Sequence, residues 1–405
     1  MPKGVEALVT PAVLKWAREN DGHTPEFVAK KLKVRPADIE AWEVGASRPS
    51  LPQLRKLAKL YRRPTAVFYL PSPPQGFQTL RDFRRAPESG RRQFSPELMY
   101  EMRRAQERRA IAVELYETAG ETIPDFAITA SRDESPEDVG ARLRAALGVT
   151  YEEQISWTPG HSSLNGWRAH AEQAGVLVFQ SKGVDEDEMR GFSLSERPLP
   201  VVVLNGREQP PGRIFTLAHE LTHIALRSAG VCDLLEDGTN GHRRGRPAAA
   251  ANDGEAREVE RFCNASAAAL LMSKEYLLAD RLVASHRGVE WSDTALLTLA
   301  NRYGVSREAM LLRLLTLRRT TEEFYWAKRH TFLEQYRKRP KKTQEGGPEY
   351  HVAVVARAGR LFTRLVLDSY HEKRITAADA SEYLSISVPS LPKVETEVYR
   401  GGVAA

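Results

Sequence analysis

The sequence predicts a multidomain chain: an all-α helix-turn-helix domain, then an α+β domain built around a metal-binding helix, then a small helical tail. Three observations predict it. Residues 11–70 alternate short apolar stripes with turn residues, the pattern of short helices rather than strands. Further on, short β-branched runs lead into a helix carrying His219-Glu220-Leu221-Thr222-His223, which is α+β patterning. Last, a Lys/Arg-rich stretch ending in Gly-Gly-Pro separates a terminal helical block from the rest.

Composition sets the frame. A chain of 405 residues holds two or three domains and buries a core without staples. Two cysteines, Cys232 and Cys263, exclude a disulfide scaffold and suit a reducing cytoplasm. No segment reads as a signal peptide or a membrane span, so a cytoplasmic protein without a membrane partner is expected. The net charge of +6 permits nucleic-acid binding without arguing for it.

In the N-terminal domain, Val13, Leu14 and Ala17 form the first apolar stripe. Thr24 is an N-cap followed by Pro25, and Phe27, Val28, Ala29 and Leu32 form the second stripe. Lys33-Val34 makes a tight turn into a third helix through Ile39, Trp42 and Glu43, which Gly45 ends. A fourth helix follows Ser50 and a fifth spans Pro64 to Tyr69. Five short helices with a tight turn between the second and third is a helix-turn-helix layout. The stretch from Phe27 to Glu43, with Gly45, Arg48-Pro49-Ser50 and Leu54 to Ala58, resembles the XRE/Cro-type family. That resemblance implies a recognition helix over 36–43, with Arg35, Ala37, Asp38, Glu40 and Ala41, together with Arg48, as the DNA-binding residues. Val28, Ile39, Trp42 and Leu57 are expected in the core. Asp38 and Glu40 depart from a reading face rich in bidentate donors, so a module for protein contacts or dimerisation is the alternative.

Residues 71–160 read as a helical connector. It holds a basic extended segment over 81–85 and a long helix from Pro96 whose Arg103, Arg104, Arg108 and Arg109 are expected on a solvated face. A helix over 136–147 lies between loops. Residues 161–336 form the next domain, with a helix over 165–174, strands over 176–179, 191–195 and 199–204, and a turn over 205–212. Ile214, Leu217, Ala218, Leu221, Ile224 and Ala225 then recur at helical spacing. His219 and His223, four apart, lie on one face and can reach one zinc ion, and Glu220 lies where a carboxylate can take a proton from water at the metal. Leu226 and Ala229 stand where a metzincin needs glycine and histidine, so that class is excluded. The third ligand is expected on a helix over 255–272, which offers Glu255, Glu258 and Glu260.

Phe215 to Ile224 together with Glu260 to Met272 resembles the ImmA/IrrE metallo-endopeptidase family. The resemblance implies a zincin-like peptidase domain binding one Zn2+ through His219, His223 and Glu260, with Glu220 as general base. Cys263 replaces the usual alanine and Ser273 the usual proline; neither removes a ligand. Glu258 and His242 are the rival ligands. Cys263, one turn from Glu260, is expected as a buried small side chain. Residues 236–254 read as a loop beside the cleft, 294–317 as a second helix-turn-helix-like segment packed on the core, 337–347 as a linker, and 348–405 as the helical tail. The function implied is a DNA-bound endopeptidase that cuts a repressor or antitoxin protein in a stress, mobile-element or toxin–antitoxin response. The alternative is a regulator or antitoxin whose peptidase-like domain only senses or dimerises; a homodimer fits either.

Overall fold

Helix caps explain most of the first unit, which comprises residues 1–79 and 90–104. The structure is a computed structural model that describes residues 6–74, 81–82, 94–227, 230–232, 251–338 and 349–400. Helices α1 (Pro11–Asn20), α2 (Pro25–Leu32), α3 (Pro36–Glu43) and α4 (Leu51–Leu60) each begin with a proline in the first turn. There the missing N–H costs nothing. Thr24 caps α2 through the Phe27 amide, and Ser50 and Gln53 form a reciprocal box at α4. Lys33 closes α2 in the left-handed region at φ 59° and turns the chain into α3. Val13, Leu14, Ala17, Val28, Ile39, Trp42, Leu54 and Leu57 pack into one core. The Arg18 guanidinium spans α1 to α3, donating to both Glu43 oxygens at 2.7 and 2.8 Å. Two expectations are corrected. Phe27 stands outside the core, stacked on His23, and Pro64 to Tyr69 forms a 3-10 turn over Thr65–Tyr69 rather than an α-helix.

The second unit, residues 80–89 and 105–405, is built on a five-stranded sheet. Its strands are β1 (Arg81–Asp82), β2 (Leu177–Ser181), β3 (Gly191–Leu194), β4 (Val201–Asn205) and β5 (Gly230–Cys232), in the order β1-β5-β3-β4-β2. β2 runs parallel to β4, β3 antiparallel to β4 and β5, and β1 parallel to β5. Every residue of β2, β3 and β4 is buried, which accounts for the apolar runs over 177–179 and 201–204. The helices in order are α5 (Pro96–Ala119), α6 (Pro136–Leu147), α7 (Tyr151–Ser156), α8 (His161–Gln173), α9 (Pro210–Ala225), α10 (Ala251–Leu271), α11 (Lys274–Ala279), α12 (Arg281–Ser285), α13 (Asp293–Tyr303), α14 (Arg307–Thr316), α15 (Glu322–Lys338), α16 (Tyr350–Ala358), α17 (Arg360–His371), α18 (Ala377–Leu384) and α19 (Leu391–Arg400). Among the described residues no helix is long and apolar enough to cross a membrane.

Several boundaries move for local reasons. α9 begins at Pro210, because prolines and glycine suit a first helical turn as well as a loop. α7 is an unexpected helix capped by Thr150, and α8 begins at His161. Residues 251–254, expected as loop, open α10; the rest of that loop and the linker over 339–347 lie outside the described residues. α16 adds a helix to the tail. The solvated face of α5 is also corrected: Arg103 and Arg108 are buried. Arg103 pairs with Asp21 at 2.8 Å in the first unit. In the second, Arg108 donates to the Arg357 carbonyl and Arg109 to those of Pro198 and Leu199. α13 and α14 bury Leu296, Leu299, Tyr303, Met310 and Leu314 in the same core as α9.

Two features hold the helices that matter. α6 lies directly against α10 at Gly140, where a Cβ would sit 2.6 Å from the Ala269 Cβ and 2.7 Å from the Leu270 nitrogen. The carbonyls ending α10 have no helical partner. They accept instead from buried side chains: Leu270 from Arg144 at 3.0 Å, Leu271 from Gln154 at 2.9 Å, and Met272 from Arg313 at 2.9 Å. The tail docks through buried Glu172, whose carboxylate accepts the Arg360 and Leu361 amides at 3.0 and 3.2 Å. Arg168 donates beside it to the Val178 and Ala356 carbonyls.

Gly140→Ala overpacks a backbone contact. It should destabilise the fold by about 1–3 kcal/mol, seen as a lower denaturation midpoint. Burial pushes the Glu172 carboxyl up to about 7. A carboxyl raised in the fold binds its proton more tightly than in the unfolded chain, so this stability is complete below the unfolded pKa and fades as pH rises through the folded one. Wild type should therefore lose stability relative to Glu172→Gln between about pH 4.5 and 7, by up to about 3 kcal/mol in paired melts.

Candidate metal centre

The apolar stripe of α9 faces the core, and its helical repeat carries the polar residues His219, Glu220 and His223 inward with it, each fully buried. Burying three such groups is costly unless each finds a partner. The His219 and His223 Nε2 atoms lie 3.0 Å apart. α10 brings Glu260 to both: Oε2 is 3.3 Å from His219 Nε2, and Oε1 is 3.3 Å from His223 Nε2. The three residues offer ligand atoms all within 4.8 Å of one another. Of the rival ligands, Glu258 is exposed on α10 and is not in this cluster, while His242 lies outside the described residues, as does the Glu255 side chain.

Neighbouring groups orient the ligands. His219 Nδ1 meets Asn264 Oδ1 at 2.9 Å. That bond places the ring proton on Nδ1 and turns the Nε2 lone pair toward His223 and Glu260. Asn264 follows Glu260 by four residues, so one face of α10 supplies both groups. Burial pulls the His219 imidazole down, but the Glu260 carboxylate outweighs it and holds the ring above its usual range. Burial alone would raise Glu260; the two imidazoles, His219 first, bring it well below the usual carboxylate range.

Glu220 occupies a different environment. Ser193 Oγ on β3 donates to its Oε2 at 2.7 Å, while Oε1 has no hydrogen-bond partner among the described residues. Gly191 permits this approach of β3 to α9: a Cβ there would sit 2.4 Å from Thr216 Cγ2 and 3.3 Å from Glu220 Oε1. Burial raises the Glu220 carboxyl above its usual range, against the pull of His223 and His219. Cys263 is fully buried, and burial pushes its thiol well up, which keeps it protonated and inert.

Two convergent imidazoles and one carboxylate are a donor set that suits a divalent ion such as zinc, and Glu220, next to His219 in the chain, keeps one oxygen unpartnered among the described residues. The residues therefore fit a divalent ion. Ser193 carries no signal in the sequence, because only the sheet register brings it to α9. Asn264 stood in the quoted pattern without a role, though its spacing from Glu260 could have suggested one.

On the first unit, Arg35, Ala37, Glu40 and Arg48 are exposed, and Asp38 and Ala41 half-buried. Asp38 accepts the Arg35 amide at 2.9 Å and its guanidinium at 2.7 Å, so this acid caps α3. The Arg35 contact also holds the Asp38 carboxyl below its ordinary range. Val28, Ile39, Trp42 and Leu57 are core residues.

A family model described as an IrrE N-terminal-like domain, Peptidase_M78, matches residues 171–315, and a helix-turn-helix model, HTH_3, matches residues 14–68. No curated protein matches the chain. If Asn264 orients His219, Asn264→Ala should weaken zinc binding about 10–100-fold in a competition titration with a chromophoric chelator. An unchanged affinity would reduce that contact to packing.

Proposed function

The chain joins an XRE/Cro-type helix-turn-helix domain to an ImmA/IrrE-like peptidase domain, and on that basis we propose a DNA-binding transcriptional regulator that is also a zinc-dependent endopeptidase. Its substrate is a repressor or antitoxin protein, cut in a cytoplasmic stress, mobile-element or toxin–antitoxin response. The observation that carries this reading is the convergence of His219, His223 and Glu260 beside the half-satisfied carboxylate of Glu220.

His219, His223 and Glu260 would hold one zinc ion. When bound, zinc supplies a Lewis acid that polarises a peptide carbonyl and acidifies water. Glu220 takes the proton of the attacking water on its free Oε1 and passes it to the departing amine. Ser193 holds the other oxygen, so the carboxylate keeps one orientation through both transfers. The buried setting strengthens each charge interaction within the site. In the first unit, Arg35, Ala37, Asp38, Glu40 and Ala41 are proposed for the major-groove face, with Arg48 on the phosphates. Because Asp38 is spent on the cap, Glu40 is the acid that this face presents. A homodimer would set two such helices on paired half-sites.

Glu220→Gln in the full zinc-loaded chain should retain one zinc and lose cleavage of any repressor that the wild-type chain cuts by about 10²–10⁴-fold. Gel-based turnover with metal analysis checks both halves. Wild-type cleavage by the variant would remove Glu220 from the chemistry. If a proteome-wide screen finds no product of the wild-type chain while both proteins bind DNA, the domain senses or dimerises instead.

A further inference from the structure

A shallow, open groove on the surface of the first unit belongs to neither α3 nor the metal centre. Arg55 and Lys59 line it from α4, Arg62, Arg63 and Thr65 from the segment that follows, and Tyr100 from α5. The bland account is that cations gather where α4 ends. A helix C-terminus carries only about half a negative charge, so one cation offsets it and four do not belong there on that ground.

Among the described residues few carboxylates answer them. Glu97 meets Arg62 at 3.4 Å, an exposed contact of small worth. Asp21 pairs with Arg103 at 2.8 Å. Arg63 is half-buried over the Trp16 ring at 4.0 Å, and its Nε and Nη2 are buried with no acceptor among the described residues. Burial, with Arg103 nearby, pushes its guanidinium down to about 10, against the pull of Asp21. Asp21 attracts Arg63 but is bonded to Arg103, and an anion in the groove would add to that compensation through its charge. The Tyr100 ring is already engaged by guanidinium groups, Arg62 at 4.7 Å and Arg104 at 5.9 Å, so it offers no free platform for a base.

We propose that this groove is a second anion site, separate from the recognition helix, that binds phosphoryl groups by charge and guanidinium hydrogen bonding without reading a base. The phosphoryl groups come either from a free polyphosphate or from the backbone of duplex flanking the operator. Guanidinium forks match phosphate oxygens two at a time, and Lys59 adds a point charge.

The test uses the full chain with inorganic tripolyphosphate and, separately, a duplex. Arg55→Glu/Lys59→Glu changes exposed residues of the groove. Lys274→Glu/Arg281→Glu, exposed on the second unit, is the charge-matched control. Thermal melts first establish that both variants fold as wild type. The groove variant should lose about tenfold or more in affinity for one probe or both, and the control about threefold or less. Loss confined to tripolyphosphate identifies a free polyphosphate. Loss on duplex, with the slope of log affinity against log salt reduced by about two, identifies the backbone. Equal losses in the two variants, or none in either, overturn the proposal.

Discussion

The position of α10 is the constraint on which the metal centre depends. His219 and His223 share one helix and meet by helical repeat alone, but Glu260 reaches them only if a second helix lies at the right depth and rotation. Arg144, Gln154 and Arg313 set that placement by taking three successive carbonyls at its end. Gly140 sets the depth by allowing α6 to lie on its backbone. Arg313 is itself held by Glu137 of α6 through two bonds of 2.6 and 2.8 Å, so the same two helices are tied twice. In a tightly packed interior a shift of an ångström is not absorbed elsewhere, and the ligand would be lost with it.

Two carboxylates, fully buried Glu220 and partly buried Glu260, differ in charge state because their surroundings differ. Glu260 faces two imidazoles and is held anionic, as a ligand must be. Glu220 lies on the same helix as those imidazoles but packs against β3, where one hydroxyl satisfies one oxygen. Its burial is less fully compensated, and that leaves it able to gain and lose a proton.

Arginines do much of the joining in this chain. Arg18 ties α1 to α3, Arg144 and Arg313 tie α10 to its neighbours, and Arg168 works with Glu172 where the tail meets α8 and β2. Each lays an apolar stem along the core and spends its donors on carbonyls or carboxylates that would otherwise be unsatisfied. Local pattern does not distinguish such residues from solvated charge. The run on α5 reads as a polar face, yet Arg103 and Arg108 are buried. Around Arg55, Lys59, Arg62 and Arg63 the described carboxylates neutralise fewer of the cations.

Local chemistry made the first level legible from the sequence. Thr24, Ser50 and Thr376 cap their helices because the side chain and the amide it serves are three residues apart. The pairing of His219 with His223 is local for the same reason, as is the apolar run of β4. The choice among acids on α10 needed a family pattern in the sequence, and in space only Glu260 of the described acids joins the cluster. Tertiary structure alone decided the rest. Ser193 stands 27 residues from Glu220 and meets it through strand register. Asp38 looked like a misfit on a DNA-reading face until its bonds to Arg35 made it a cap. Hydrogen bonds between distant segments carry no periodic trace, so the residues of the His219–His223–Glu260 cluster could be picked out from the chain and the groups that contact them, Ser193 and Asn264, could not.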